Sequence, residues 1–195
     1  WDKHQRAKTG PLKEQNLAFK NLGKLKFEDV SKEWGLDHVG MSYASTAADL
    51  DRDGDLEIIT ANLDEEVSIY QNNSSNENKI LVELVGTLSN PNGIGSTVRI
   101  SAGKSKQSRY VTLTRGYMSS GEAISHFGLG SEEKINELSV QWPSGHVQSF
   151  KDLDTNQFYT ITEPGKEAQS IPKKETEKLF TPLKSSLAGI KHKET

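Results

Sequence analysis

The chain of 195 residues contains no cysteine, only two methionines and six prolines, and no apolar run approaching the length of a membrane span. The missing cysteines exclude a disulfide framework, thiolate metal sites and a cysteine nucleophile, and leave the redox compartment open. Hydrophobic residues make up 33% of the chain and its mean hydropathy is −0.67, low for one tightly packed enzyme core, so long polar ends are expected. No signal peptide is visible, and the chain opens on Trp1 without an initiator Met, so it reads as a piece of something larger. Its length suggests one or two domains.

What the chain has in excess is acid in one place. Asp49-Leu50-Asp51-Arg52-Asp53-Gly54-Asp55-Leu56-Glu57 sets five carboxylates at alternate positions around a single glycine. Against Arg52 the loop carries −4, whereas the whole chain carries −3, so the remainder sums to +1. Self-repulsion of that size calls for a counter-ion. Calcium takes six to eight oxygens at roughly 2.3–2.6 Å, and alternating carboxylates on a tightly turned backbone converge on one point while glycine permits the turn. An EF-hand also reads Asp-x-Asp-x-Asp-Gly, but needs a bidentate Glu at position twelve, where this chain has Thr60, and a helix after the loop. The following Leu56–Asn62 is β-branched and short, which predicts a strand. A metal-free acidic hairpin is the bland alternative.

This loop and its strand resemble the calcium loop of FG-GAP or VCBS repeats, the blades of integrin-like β-propellers. The resemblance implies ligation by the side chains of Asp49, Asp51, Asp53 and Glu57 and by the Asp55 carbonyl, with the Asp55 carboxylate pointing outward. Glu57 stands where the family usually has Asp. A repeat agrees: Leu17-Ala18-Phe19-Lys20-Asn21 is echoed by Ser68-Ile69-Tyr70-Gln71-Asn72, with Phe19 and Tyr70 separated by 51 residues, a blade-type spacing. Strands are expected at 27–30, 43–48, 56–62 and 67–70, enough for one blade, which cannot bury both faces without neighbours.

Residues 72–78, Asn-Asn-Ser-Ser-Asn-Glu-Asn, form a polar linker with two overlapping Asn-x-Ser sequons at Asn72 and Asn73. Beyond it, strands are expected at 79–85, 97–101, 108–114, 124–127, 135–142, 147–150 and 157–162. Turn signals such as Asn90-Pro91-Asn92-Gly93 and Pro143-Ser144-Gly145 separate them, and the spacing predicts an antiparallel β-sandwich. Ile80, Val82 and Leu84 share one face; Leu138, Val140 and Trp142 share another.

Four motifs here, Gly93-Ile94-Gly95-Ser96-Thr97-Val98-Arg99-Ile100, Arg115-Gly116-Tyr117-Met118-Ser119-Ser120, His126-Phe127-Gly128-Leu129-Gly130 and Trp142-Pro143-Ser144-Gly145, with Asn156-Gln157 behind them, resemble the ASPIC/UnbV domain. That domain follows FG-GAP repeats in bacterial surface proteins and in vertebrate cartilage acidic protein. The expected architecture is therefore all-β: a propeller blade portion over 1–73, a sandwich over 79–163, and a polar tail over 164–195 whose Phe180, Leu183 and Ile190 suggest the start of another propeller module.

No catalytic centre is legible. His126, with Ser119 and Ser120 nearby in sequence, lacks a Gly-x-Ser-x-Gly elbow and a fixed acid, and reads as a packing or hydrogen-bonding residue. Gly93-Ile94-Gly95 enters a β-branched strand where a dinucleotide fingerprint needs a helix. Tyr117, Trp142 and Tyr159 are candidates for a glycan site or simply core. The seven basic residues among 1–26 are scattered without aromatic platforms, which argues against nucleic acid. The expectation is a calcium-binding, non-enzymatic, secreted or cell-surface module with neighbouring blades as partners and an extracellular protein or glycan as ligand. An accessory part of a carbohydrate-active or other hydrolase, and a structural spacer, remain alternatives; the sandwich shows no obvious carboxylate pair for glycoside chemistry.

Overall fold

A computed structural model describes residues 12–74 and 78–165, and the expected propeller start in the tail lies outside the described residues. Among these residues every regular element is a β-strand and there is no helix. The first half holds β1 (Glu14–Gln15), β2 (Phe19–Gly23), β3 (Lys26–Asp29), β4 (Val39–Gly40), β5 (Ser42–Ala48), β6 (Glu57–Asn62) and β7 (Ser68–Tyr70). The second holds β8 (Asn78–Val85), β9 (Thr97–Ala102), β10 (Ser105–Tyr110), β11 (Thr114–Gly116), β12 (Ser119–Ser120), β13 (Ile124–Gly130), β14 (Lys134–Gln141), β15 (Val147–Asp154) and β16 (Gln157–Thr162).

In the first half, β5, β6 and β7 form an antiparallel meander, with Ser45 opposite Thr60 and Ile59 opposite Ile69. The β-branched run Ile58-Ile59-Thr60 suits its central strand. The fourth strand expected for this blade, 27–30, is not part of the sheet. It is β3, hydrogen-bonded in a hairpin to β2. Lys24 and Leu25 both sit at positive φ, 51° and 60°, the two-residue turn whose twist suits a tight hairpin. Local closure across two residues therefore takes this strand.

The second half is a two-layer structure. One sheet runs β10-β9-β14-β15 and the other β13-β8-β16. Their facing side chains make one core that includes Ile80, Val82 and Leu84 of β8, Phe127 of β13, and Leu138 and Val140 of β14. Both alternations expected from the sequence are thus buried as sets, and Trp142 joins them at the end of β14. Two corrections apply. The sandwich is not purely antiparallel, because β16 pairs in parallel with β8, Tyr159 opposite Val82. Chain reversal at the sheet end cannot make such a pair; it needs a crossover, here through the opposing sheet. The single strand expected over 108–114 is split, since Val111 leaves β10 to exchange backbone hydrogen bonds with Gly95 and Ser96 before β11 begins.

Gly93 shows why this turn has no alternative residue. Its φ is +60°, and a Cβ there would lie 2.6 Å from Leu84 Cβ. The halves also touch: Thr46 of β5 donates to the Ser120 carbonyl of β12 at 2.9 Å.

Candidate metal centre

The acidic loop spans the connection from β5 to β6, so pairing of Ala48 with Glu57 brings the two ends of the motif side by side. The backbone then turns inward on its own carboxylates. Gly54 N–H donates to Asp49 Oδ2 at 3.1 Å, Asp55 N–H to Asp53 Oδ1 at 3.0 Å, and Leu50 N–H to Glu57 Oε2 at 2.8 Å. Gly54 has φ +92°, and a Cβ there would meet Lys79 Cε at 3.0 Å. Glycine is needed for both the turn and the close approach of β8.

Asp49, Asp51 and Glu57 each offer an oxygen within 4.8 Å of the others. Two oxygens on opposite sides of a calcium ion stand roughly 5 Å apart, so one ion could be held by this set. Glu57 is buried, and Asp49 Oδ1 is buried with no hydrogen-bond partner. An orphaned carboxylate oxygen of that kind is costly unless a cation or donor meets it. The donor set is all oxygen and anionic, the chemistry of a hard divalent ion.

The other two acids behave differently. Lys79, at the start of β8, lies 3.8 Å from Asp53 and 3.9 Å from Asp55. The Asp55 carboxylate stands apart from the three oxygens that meet and lies beside Lys79; its side chain is 13% exposed and its Oδ1 is buried without a partner. Burial, reinforced by the neighbouring Asp53, raises the Asp55 pKa; the backbone hydrogen bond from Asp55 lowers that of Asp53.

The other residues singled out in the sequence do not assemble. Trp142 is core, Tyr159 packs against the core and donates to the Asp154 carbonyl, and Tyr117 is exposed on the β11–β12 ribbon. Ser119 Oγ donates to the Tyr117 carbonyl.

One polar centre had no sequence signal beyond a turn motif. Glu163 is 2% exposed at the end of β16. Its Oε2 accepts from the backbone N–H groups of Thr87, Leu88 and Ser89, and its Oε1 from the hydroxyls of Ser89 and Ser144. Burial alone would push the carboxyl up, but the hydrogen bonds from Ser144, Ser89 and Leu88 outweigh it and hold the pKa at about 2. His146 is buried, with Nδ1 3.2 Å from Ser144 Oγ. The serine sits between histidine and glutamate, whereas a nucleophilic relay places the histidine in the middle.

No curated protein matches the chain. Residues 86–168, which begin just after β8 and take in the rest of the sandwich, match the model of the family described as ASPIC and UnbV.

Proposed function

We propose that this chain is a calcium-binding, non-enzymatic module of a larger extracellular propeller protein, with a blade portion in its first half and an ASPIC/UnbV sandwich in its second. The observation that carries the reading is the convergence of Asp49, Asp51 and Glu57 on one small volume beside an orphaned Asp49 oxygen. Bound calcium would supply positive charge to the loop and hold the β5–β6 connection in one geometry. Sites of this type in extracellular modules bind at roughly 10⁻⁴ to 10⁻³ M, which keeps them filled outside cells and empty in the cytosol.

The need for blade neighbours is supported by burial. In the first half Val30 is a buried hydrophobic, while Phe19, Leu22, Phe27, Trp34 and Ile69 are exposed. A sheet with such faces gains its core by stacking. A binding role, rather than a catalytic one, is supported by the Glu163 centre, whose carboxylate oxygens are taken by three backbone N–H groups and two hydroxyls.

Calorimetric titration tests the reading. Wild-type chain is expected to take up one calcium per chain, Asp51→Ala to weaken binding at least about tenfold through loss of a direct charged ligand, and Asp55→Ala to weaken it only mildly. Equal losses at the two positions, or no uptake by the wild type, would contradict it.

A further inference from the structure

β7 leaves one edge of the blade sheet open. It is the last strand in the order β5-β6-β7 and has no partner on its outer side among the described residues. Val67 and Ile69 are more than half exposed there. An exposed apolar edge is a liability that folded chains cover.

The direction of its free groups follows from alternation. Leu63 N–H donates to the Met41 carbonyl at 3.0 Å, so along β6 the odd-numbered residues turn to β5, while Ile58 and Thr60 turn to β7. Their partners Tyr70 and Ser68 direct N–H and C=O groups at β6. Ile69 and Gln71 therefore point theirs outward.

β2 and β3 show what pairs with a strand of this sequence. Phe19-Lys20-Asn21 corresponds to Tyr70-Gln71-Asn72, and β3 lies against it with Phe27 opposite Asn21, Glu28 opposite Lys20 and Asp29 opposite Phe19. Val30 N–H donates to the Ala18 carbonyl at 2.9 Å. Ala18 with Val30 is thus a hydrogen-bonded pair, Phe19 with Asp29 an unbonded one, and Lys20 with Glu28 bonded again. Carried over to β7, the bonded positions are Ile69 and Gln71, the two residues whose groups point outward.

The partner strand has a counterpart as well. Phe27-x-x-Val30 followed by Gly35-Leu36-x-His38 is matched by Phe180-x-x-Leu183 followed by Gly189-Ile190-x-His192, one residue longer. In this alignment Pro182 takes the place of Asp29, the unbonded position whose N–H faces away from the neighbouring strand. Proline fits a paired strand only where the ladder needs no N–H; at position 181 or 183 it would delete a bond.

We propose that residues 179–183 of the same chain add to β7 as the antiparallel fourth strand of the blade sheet, with Leu183 opposite Ile69, Pro182 opposite Tyr70, Thr181 opposite Gln71 and Phe180 opposite Asn72. The segment lies outside the described residues. It closes this sheet rather than opening another module, and the sandwich becomes an insertion between the third and fourth strands of one blade. The connection is long enough. The 16 residues from 163 to 178 reach roughly 53–58 Å when extended. Asn72 and Gln157 line one cavity, so the way back is the six residues of β16, about 20 Å, and the width of that cavity.

The test uses the 195-residue chain, which has no native cysteine to compete with an introduced pair. Unbonded antiparallel neighbours have side chains close enough for a disulfide. Tyr70→Cys with Pro182→Cys is expected to oxidise within one chain at least about tenfold faster than Tyr70→Cys with Thr181→Cys, because residue 181 faces the other side of the sheet. Amide hydrogen exchange reads the unmodified chain: Ile69 and Gln71 should exchange at least about tenfold more slowly in wild type than in Thr181→Pro, and Pro182→Ala should keep the wild-type protection. A disulfide that forms between chains, equal oxidation of the two cysteine pairs, or Ile69 and Gln71 amides as fast in wild type as in Thr181→Pro would overturn the proposal. Neither readout requires the acidic loop to hold an ion, so loss of calcium uptake with strand pairing intact would sink the metal reading alone.

Discussion

Replacing Glu163 by glutamine removes one charge from the sandwich with almost no change of shape, and the structure sets both the size and the pH dependence of the effect. Oε2 receives three backbone N–H groups at 2.7–2.9 Å, which cannot turn round. Oε1 receives two hydroxyls, which can rotate and accept instead. Glu163→Gln is therefore expected to place its oxygen at the Oε2 position and its amide nitrogen toward Ser89 and Ser144. Every partner is kept and only the charge assistance is lost.

The carboxyl falls from its ordinary 4.5 to about 2 in the folded chain, a difference worth about 3 kcal/mol at about 1.4 kcal/mol per pKa unit. A folded pKa below the unfolded one gives stability that is full above pH 4.5 and is lost as pH falls toward 2. Urea unfolding followed by the fluorescence of buried Trp142 should show Glu163→Gln less stable than wild type by about 3 kcal/mol at pH 7, with the gap closing toward pH 2 as the wild-type carboxyl protonates. Glu163→Ala takes the acceptor away from three backbone N–H groups and should cost more than the glutamine variant at every pH. A gap between wild type and Glu163→Gln that stays constant from pH 7 to pH 2.5 would refute the reasoning.

Gly93→Ala should lower stability by more than about 1 kcal/mol, since both its positive φ and the contact with Leu84 oppose a methyl group; chemical denaturation at neutral pH reads this directly. Lys79→Met removes a positive charge that stands 3.8–3.9 Å from two loop carboxylates. It should tighten calcium binding about two- to fivefold at low salt, with the gain shrinking as ionic strength rises, and calorimetry at two salt concentrations would check it.

The sequence-legible parts of this molecule are local ones. Ile80, Val82 and Leu84 alternate within one strand and are buried together; the acids of the loop lie at successive odd positions, and three of them meet. The β16 strand is readable from its composition, but its parallel pairing with β8 depends on a partner some 77 positions away and on the path of the crossover. Lys79 likewise reaches the loop only through tertiary structure, so nothing in the spacing of Asp53 and Asp55 foretells that a sandwich lysine would stand beside both. Glu163 collects donors from residues 87–89 and from Ser144. A carboxylate served by separate segments has no one-dimensional signature.

The blade strands show the same division. Residues 27–30 have the composition of a strand, and β3 forms there at Lys26–Asp29, but a two-residue turn at Lys24-Leu25 offers β2 as a closer partner than β5. Loop closure over two residues costs less entropy than closure over a longer connection.

The position of a bound ion decides whether the acidic loop is a metal centre. Anomalous diffraction from crystals of the chain grown in calcium should show one peak between β5 and β6, with side-chain oxygens of Asp49, Asp51 and Glu57 at roughly 2.3–2.6 Å. A calcium-saturated crystal with no peak in the loop, or with its ion held by residues other than these three, would contradict it.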